Sequence, residues 1–540
     1  MATQQRGIEA DFIVIGAGSA GCAVAARLSE DPSVRVALLE AGGADTNRWI
    51  HIPLGFGKTF ADPSVNWCYE TEPDPGAAGR KVFWPRGKVL GGSSSINGMV
   101  YIRGQAEDFD HWRQLGNSGW SSADVLPYFK RAEHQVRGAD EFHGSGGPLA
   151  VSDVAPHPIC EAFIQSALDL GFPRNDDFNG ASQDGVGYHQ TTTRQGRRCS
   201  TAVGYLRPAM GRPNLRVVTE ALAEKILFDG RCAVGVSFRR GGETWTAHAT
   251  REVILCGGAI NSPQLLMLSG IGPQEHLAAL GIPVVQALAG VGQSLQDHYS
   301  APIKLKCRLP VTVNDVMLSR AKKLKAGLEY YMFHKGPLAM ISSPAALFAR
   351  TRAELASPDI KISISPFSAE RPQDGLHKWS GFTTIAYQLR PESRGHIALK
   401  TAAPADPPAL HPNYLDAETD RRTLVEGLKL CRRILARPHL ERFVDSEFLP
   451  GAAVQSDDEL LDYARRRGGT VYHPTSTCRM GTDAMAVVDP ELRVRGVAGL
   501  RVADASIMPT VVSGNTNAAT IMIGERAADL VREEATRLAA

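Results

Sequence analysis

The chain has 540 residues, too many for one compact core, which points to two large domains or interleaved segments of two. Hydrophobic residues make up 43% and charged residues 21%, ordinary for a soluble globular protein, and a formal net charge of +2 excludes a global field that would steer nucleic acid. The nine cysteines show no C-x-x-C pair and no Cys/His ligand spacing, so neither a disulfide framework nor a zinc site is indicated.

Met1–Ala10 lacks a basic stretch followed by a long apolar run, and no window offers 18 uninterrupted apolar residues. Neither a signal peptide nor a transmembrane helix is expected, and the expected location is the cytoplasm. Asp11–Ile15 is a short apolar, β-branched run of the kind that forms a buried parallel strand. Gly16-Ala-Gly-Ser-Ala-Gly21 follows at once, Cys22–Leu28 predicts a helix, and Val34–Leu39 predicts a second strand ending at Glu40. This is a βαβ unit with G-x-G-x-x-G in its first turn and an acid 19 residues after the last glycine. Gly16 permits the tight turn, Gly18 lets the backbone approach a pyrophosphate, and Gly21 lets helix and strand pack closely. The helix N-terminus presents N–H groups to the phosphates, and Glu40 can accept both ribose hydroxyls. The unit predicts dinucleotide binding without separating NAD from FAD.

Between Asn47 and Gly79 lies a loop rich in proline, glycine and aromatic residues. Within Trp84–Gly104, Gly91 and Gly92 precede three serines and suit a loop lying against a flat polar ligand. Periodicity then predicts helices over Asp124–Arg137 and Ile159–Leu170, and strands over Asn214–Thr219, Glu224–Phe228 and Arg251–Ala259. Asn261-Ser-Pro caps a predicted helix, Gln264–Ser269. Further on come alternating strands at Ile360–Ser365 and Phe382–Leu389 and a helix over Arg421–Leu435. The last 70 residues hold a polar turn at Tyr472–Gly481, a strand at Gly499–Asp504, and Ser513–Asn517 leading into a helix over Ala518–Leu530.

Five of these segments in order resemble the glucose-methanol-choline (GMC) oxidoreductase family over about residues 8–532: the opening unit, Gly87–Gly104, Gly258–Gly272, and the segments around His473 and Asn515. Within the family the chain looks most similar to choline dehydrogenase-like enzymes and to dehydrogenases of aliphatic alcohols and polyethylene glycol. The resemblance implies FAD, and an α/β fold made of a discontinuous doubly wound FAD-binding domain and an α+β substrate domain with an antiparallel sheet. The implied division is 8–110, 195–300 and 470–535 for FAD, and 111–194 and 301–469 for substrate. It also implies that Ser19, Ala20, Ala41, Trp67, Arg86, Gly91, Gly92, Ser93 and Asn97 lie along the cofactor with the opening glycines and Glu40. Ala223 would meet adenine, Asp504 and Ala505 the ribityl–pyrophosphate region, and Asn517 and Ala518 the N1–C2 edge of the flavin. Some relatives attach the flavin through a histidine before the signature asparagine; here Ile96 holds that place, so FAD is expected to be non-covalent.

By the same resemblance, His473 takes the hydroxyl proton of a primary alcohol, hydride passes to flavin N5, and Asn515 donates to the developing alkoxide. An aldehyde is the implied product and a quinone-type molecule the implied acceptor. Choline dehydrogenase, an oxygen-using alcohol oxidase, and a non-redox lyase or photodecarboxylase on the same fold are the alternatives. Similar dehydrogenases often carry a glutamate a few residues after a Gly-x-Leu turn, but Gly336–Phe348 has Pro344 near that place and no acid. This predicts an uncharged aliphatic or aromatic alcohol rather than choline, unless a distant loop such as the one holding Glu370 supplies a charge. Arg320, Lys322, Lys323 and Lys325 beside Leu328, Tyr330, Tyr331, Met332 and Phe333 suggest a peripheral contact with the inner face of a membrane; a solvated basic face over a core helix is the plainer expectation. No motif specifies an oligomeric state.

Overall fold

The computed structural model describes residues 7–371 and 374–539. Residues 1–6, part of the stretch read above for a leader, lie outside it. The first strand, Gly7–Ile15, sits at the centre of a seven-stranded sheet. Val36–Leu39 and then Leu215–Val218 add in parallel on one side, and Glu243–Leu255 adds in parallel on the other. That 13-residue strand is used twice. Its C-terminal end pairs in parallel with Leu500–Val502, while its N-terminal half pairs antiparallel with Cys232–Arg240 and, through it, Leu222–Asp229. Segments from the beginning, middle and end of the chain thus share one sheet. The helices Ser19–Leu28 and Asn517–Ala539 pack against each other beside it.

The second sheet is antiparallel and runs Val444–Leu449, Tyr299–Cys307, Gly381–Gln388, Ile360–Ser365, Ala345–Ala349, Gly185–Tyr188. The helices Glu418–Leu435 and Pro158–Leu168 pack on it. The architecture is the one the resemblance implied: a discontinuous Rossmann-like domain and an α+β domain. No described helix is long and apolar enough to cross a membrane.

Several predicted elements differ in their ends. The helix expected over Asp124–Arg137 is Ser122–Ala132, and Glu133–Gln135 leaves it as a short strand. The reason is Glu133, which is fully buried and binds Arg103, the Tyr101 hydroxyl and His143, partners the helix could not reach. The strand expected to reach Ala259 stops at Leu255, and the helix expected from Gln264 already starts at Gly258. Pro263 lies inside that helix. A proline leaves the carbonyl four residues earlier without its helical donor, and here the Thr477 hydroxyl donates to Ala259 O at 2.6 Å instead. The last helix is longer than expected, Asn517–Ala539.

Candidate active site

A cleft of about 430 Å³ is lined by Gly16, Gly18, Ser19, Ala20, Glu40, Ala41, Trp67, Arg86, Gly92, Ser93, Asn97, Ala223, Asp504, Ala505 and Asn517, and also by His473 and Asn515. Residues named from five separate stretches of sequence therefore meet around one space. Gly21, Gly91 and Ala518 do not line it and stand behind its wall. A Cβ on Gly21 would fall 1.9 Å from the Gly16 carbonyl oxygen, so this glycine serves helix–strand packing. Gly91 donates its N–H to Ala17 O at 2.7 Å and holds the serine loop against the opening turn. Ala518 is buried in the first turn of the last helix.

The wall fits a dinucleotide. A Cβ on Gly92 would come 2.7 Å from Gly18 Cα, so the two glycine loops approach backbone to backbone. Gly18 caps the helix Ser19–Leu28 without any side-chain hydrogen bond, which leaves the first-turn N–H groups for an anion. Ser19 Oγ donates to Asn517 Oδ1 at 2.8 Å, joining the first helix start to the last across 498 residues. Glu40 accepts from Gly42 N at 2.8 Å and Ala17 N at 2.9 Å. Burial pushes its carboxyl up to about 7 although those two N–H groups oppose the shift. Asp504 accepts from Ser262 Oγ at 2.6 Å and Gly258 N at 2.8 Å. Asn97 Oδ1 accepts from Met99 N and from Arg198 Nη1 at 2.8 Å, a buried arginine that the sequence reading missed.

His473 follows the short strand Gly469–Thr470 and is 5% exposed. Two consecutive residues of another segment hold it. Asp297 Oδ1 accepts its backbone N–H at 2.8 Å, and His298 Nδ1 lies 2.9 Å from its Nδ1. Asp297 is itself fixed by the hydroxyls of Tyr414 and Thr470, and burial lifts its carboxyl to about 6. Arg86 Nη2 donates to Tyr472 O at 2.7 Å, and Tyr472 holds the left-handed region at φ 71°. Backbone at that angle is uncommon for a bulky residue and persists where its surroundings fix it.

Donor and acceptor chemistry sets the direction of the contacts through His473. Leu389 O can only accept, so His298 Nε2, 2.9 Å away, carries the proton of that ring. His298 Nδ1 is then an acceptor and must receive Nδ1–H of His473. On the other side the Lys361 ammonium can only donate, and it lies 3.0 Å from Asn515 Oδ1. Asn515 therefore turns its Nδ2–H₂ toward His473 Nε2, 3.0 Å away. His473 Nε2 is thus the unprotonated nitrogen of the ring, and its lone pair accepts from Asn515. Burial, His298, Lys361 and Arg86 hold its imidazole well below the ordinary histidine range, and burial draws His298 down to about 4. Both rings are neutral near pH 7.

His298, Asp297 and Lys361 were not singled out from sequence. The polar run Gln296-Asp-His298 entering a strand was the available signal for the first two. Ile96, in the place where some relatives bond the flavin, is buried and lines the cleft with an aliphatic side chain. Glu370, considered above as a source of charge, instead pairs with Arg467 at 2.7 Å and Lys304 at 3.8 Å and does not line the cleft.

Comparison with known proteins agrees with this geometry. Profiles of the GMC oxidoreductases match residues 10–300 and 391–524. The chain is 44% identical to the mitochondrial choline dehydrogenase of Mus musculus, covering 97% of this chain and 89% of that protein. It is 45% identical to an oxygen-dependent choline dehydrogenase of Yersinia pseudotuberculosis, covering 97% and 94%. Among solved structures, pyridoxine 4-oxidase from Mesorbium loti superimposes with a TM-score of 0.88 at 32% identity, over 97% of this chain and 99% of that one. A variant of the Aspergillus oryzae RIB40 formate oxidase does so at 0.93 and 27% identity, over 99% and 100%.

Proposed function

The chain belongs to the GMC oxidoreductase family and oxidises an alcohol with FAD; from that premise we propose that the alcohol is primary, that His473 is its base and that an aldehyde is the product. One observation carries the assignment: the directed chain from Leu389 O through His298, His473 and Asn515 to Lys361, which makes Nε2 the unprotonated nitrogen of His473, its lone pair held by the Asn515 N–H until a substrate hydroxyl takes that place. A hydroxyl proton taken there leaves an alkoxide beside the Asn515 amide, which can donate to it but cannot compete as a base. A base held neutral is ready at physiological pH, and such a step contributes roughly 10²–10⁴-fold. Bound FAD supplies the hydride acceptor, flavin N5. The glycine turn, Glu40, Arg86, the serine loop, Asp504 and Asn517 would hold it without a covalent bond.

Two readings of the substrate stand. The two choline dehydrogenases at 44% and 45% identity support choline, and they weigh against the uncharged alcohol expected from Pro344. An uncharged alcohol is supported by the Gly336–Phe348 segment, which has no acid, and by Glu370, which is engaged elsewhere. A quinone-type acceptor fits a further feature. On the helix Arg320–Phe333 only Ala326 and Tyr330 are buried, while Leu324, Leu328, Tyr331, Met332 and Phe333 are exposed beside the basic residues. A covered core helix would not leave them so, and we propose that this face rests on an anionic bilayer.

The test is anaerobic. Choline, hexanol, benzyl alcohol and a short polyethylene glycol are added to the holoenzyme and flavin bleaching is followed, then re-oxidation by air against a quinone analogue. If none of a broad set of primary alcohols bleaches the flavin, the proposal fails.

A further inference from the structure

Lys361 lies in the strand Ile360–Ser365, directly across from Phe348 on one neighbouring strand and Tyr387 on the other. The three side chains form a row across the antiparallel sheet. Lys361 is 2% exposed. Its ammonium donates to Asn515 Oδ1 at 3.0 Å and lies 5.1 Å from the Phe348 ring centre and 5.6 Å from that of Tyr387. Among the described residues no carboxylate pairs with it. Burying an unpaired ammonium is costly, and this burial draws Lys361 down to about 7.

Lys361 already places one poorly compensated positive charge beside the catalytic pair. Met99, Val100 and Val471 line the cleft near His473, with Ile341 and Leu389 packed among them. A quaternary ammonium has no N–H and is stabilised by a carboxylate or by aromatic faces. These five side chains carry no carboxylate, and the Phe348 and Tyr387 faces already carry Lys361; the aromatic side chains on the cleft wall itself are Phe60, Trp67, Tyr69 and Tyr472.

We propose that Lys361 sets the charge class of the substrate, biasing the site against quaternary ammonium alcohols and toward uncharged or anionic ones. The inference rests on the alcohol-oxidising reading above. Lys361 touches Asn515 rather than the cleft itself, so it acts through field and position. Two like charges about 8 Å apart at an effective dielectric of about 20 repel enough for roughly a 30-fold difference in binding or rate.

The titratable groups facing Lys361 are His189, His298, His473 and Tyr387. The three histidines are held below their ordinary range and Tyr387 is pushed up by burial, so none changes charge between pH 6.5 and 8.5. Asp297, on the far side of His473, is ionised over most of that range. A lysine near 7 is mostly charged at pH 6.5 and mostly neutral at pH 8.5.

The experiment compares choline with 3,3-dimethylbutan-1-ol, its uncharged isostere, by kcat/KM in the holoenzyme. The same ratio is read as dissociation constants from the perturbation of the flavin spectrum, which needs no turnover. In the wild type the preference for the isostere should shrink about fourfold from pH 6.5 to 8.5, from the 30-fold estimate and the neutral fraction of Lys361. K361M should lose the pH dependence and K361R should keep the preference at both pH values, the two variants differing by roughly 30-fold. A ratio that ignores pH in the wild type, or is the same in K361M and K361R, overturns the proposal. The wild-type series stands even where a variant does not fold. If neither alcohol reduces the flavin while the binding ratio follows pH, the catalytic reading fails and the charge assignment holds.

Discussion

Replacing His298 tests the origin of the free base at His473. His298→Leu removes the acceptor of the His473 Nδ1–H, 2.9 Å away, in a place where His298 is fully buried and His473 is 5% exposed. A buried donor left unpaired costs about 1–3 kcal/mol, which is roughly 5- to 150-fold in a rate constant. The ring has no inexpensive escape. Moving its proton to Nε2 would set N–H against the N–H of Asn515, and below about pH 7, where Lys361 is charged, Asn515 cannot turn over because the ammonium already donates to Oδ1. His298→Gln offers the same order of groups, an amide N–H for Leu389 O and an oxygen for His473. We expect the anaerobic rate constant of flavin reduction to fall 5- to 150-fold in His298→Leu and to recover most of that loss in His298→Gln. FAD content should stay unchanged in both. A His298→Leu enzyme that retains FAD and reduces it at the wild-type rate would refute the directed chain.

His473→Ala should keep FAD and lose several orders of magnitude in alcohol oxidation; wild-type turnover in that variant removes the base assignment. Asn515→Ala should cost less, roughly 10–10³-fold if the amide supplies one transition-state hydrogen bond, and the comparison is made on kcat/KM. Acid precipitation should release all the flavin into a yellow supernatant, because Ile96 has no atom that can bond it; flavin in the washed pellet contradicts this. The protein should float with anionic liposomes at low salt and lose binding in Leu324→Asp/Leu328→Asp; no salt-sensitive flotation leaves the helix Arg320–Phe333 without a bilayer.

The parts of the fold legible in the sequence were those whose signal is local. A strand, a glycine turn, a helix and a second strand within about 30 residues make a unit whose geometry each residue type requires, and Gly7–Ile15, Ser19–Leu28 and Val36–Leu39 lie where it put them. Element ends failed where a distant partner decided them. Glu133 left its helix for Arg103 and His143, and Pro263 stayed inside one because Thr477, far along the chain, satisfies Ala259 O. No window of sequence contains those partners. Residues that support His473 were hidden for the same reason: Asp297 and His298 act from 176 and 175 residues away.

Lys361 shows a different limit. Ile360-Lys-Ile-Ser-Ile-Ser365 alternates cleanly, and alternation predicts a strand with one buried and one polar face. The strand is there, but both faces are buried. On one side the isoleucines face the core. On the other side Lys361 faces Asn515 between two aromatic rings. Period two tells which residues share a face and says nothing about what covers it. A polar face that would meet water in an edge hairpin here closes over the reacting groups. A long polar side chain that water would have stabilised is then left with Asn515 as its hydrogen-bond partner, which is why its charge bears on the catalytic pair rather than on the solvent. Solvation by a single amide oxygen is far weaker than hydration, so removing the charge as Lys361→Met should raise thermal stability at pH 6.5, where the wild-type ammonium is mostly charged. The gain should shrink by pH 8.5 without vanishing, because the folded wild type has shed that proton while the unfolded lysine, with a pKa of about 10.4, still carries it. A melting temperature that falls by the same amount at both pH values would mean that Lys361 stabilises the fold by packing, and that its charge is not the term in play.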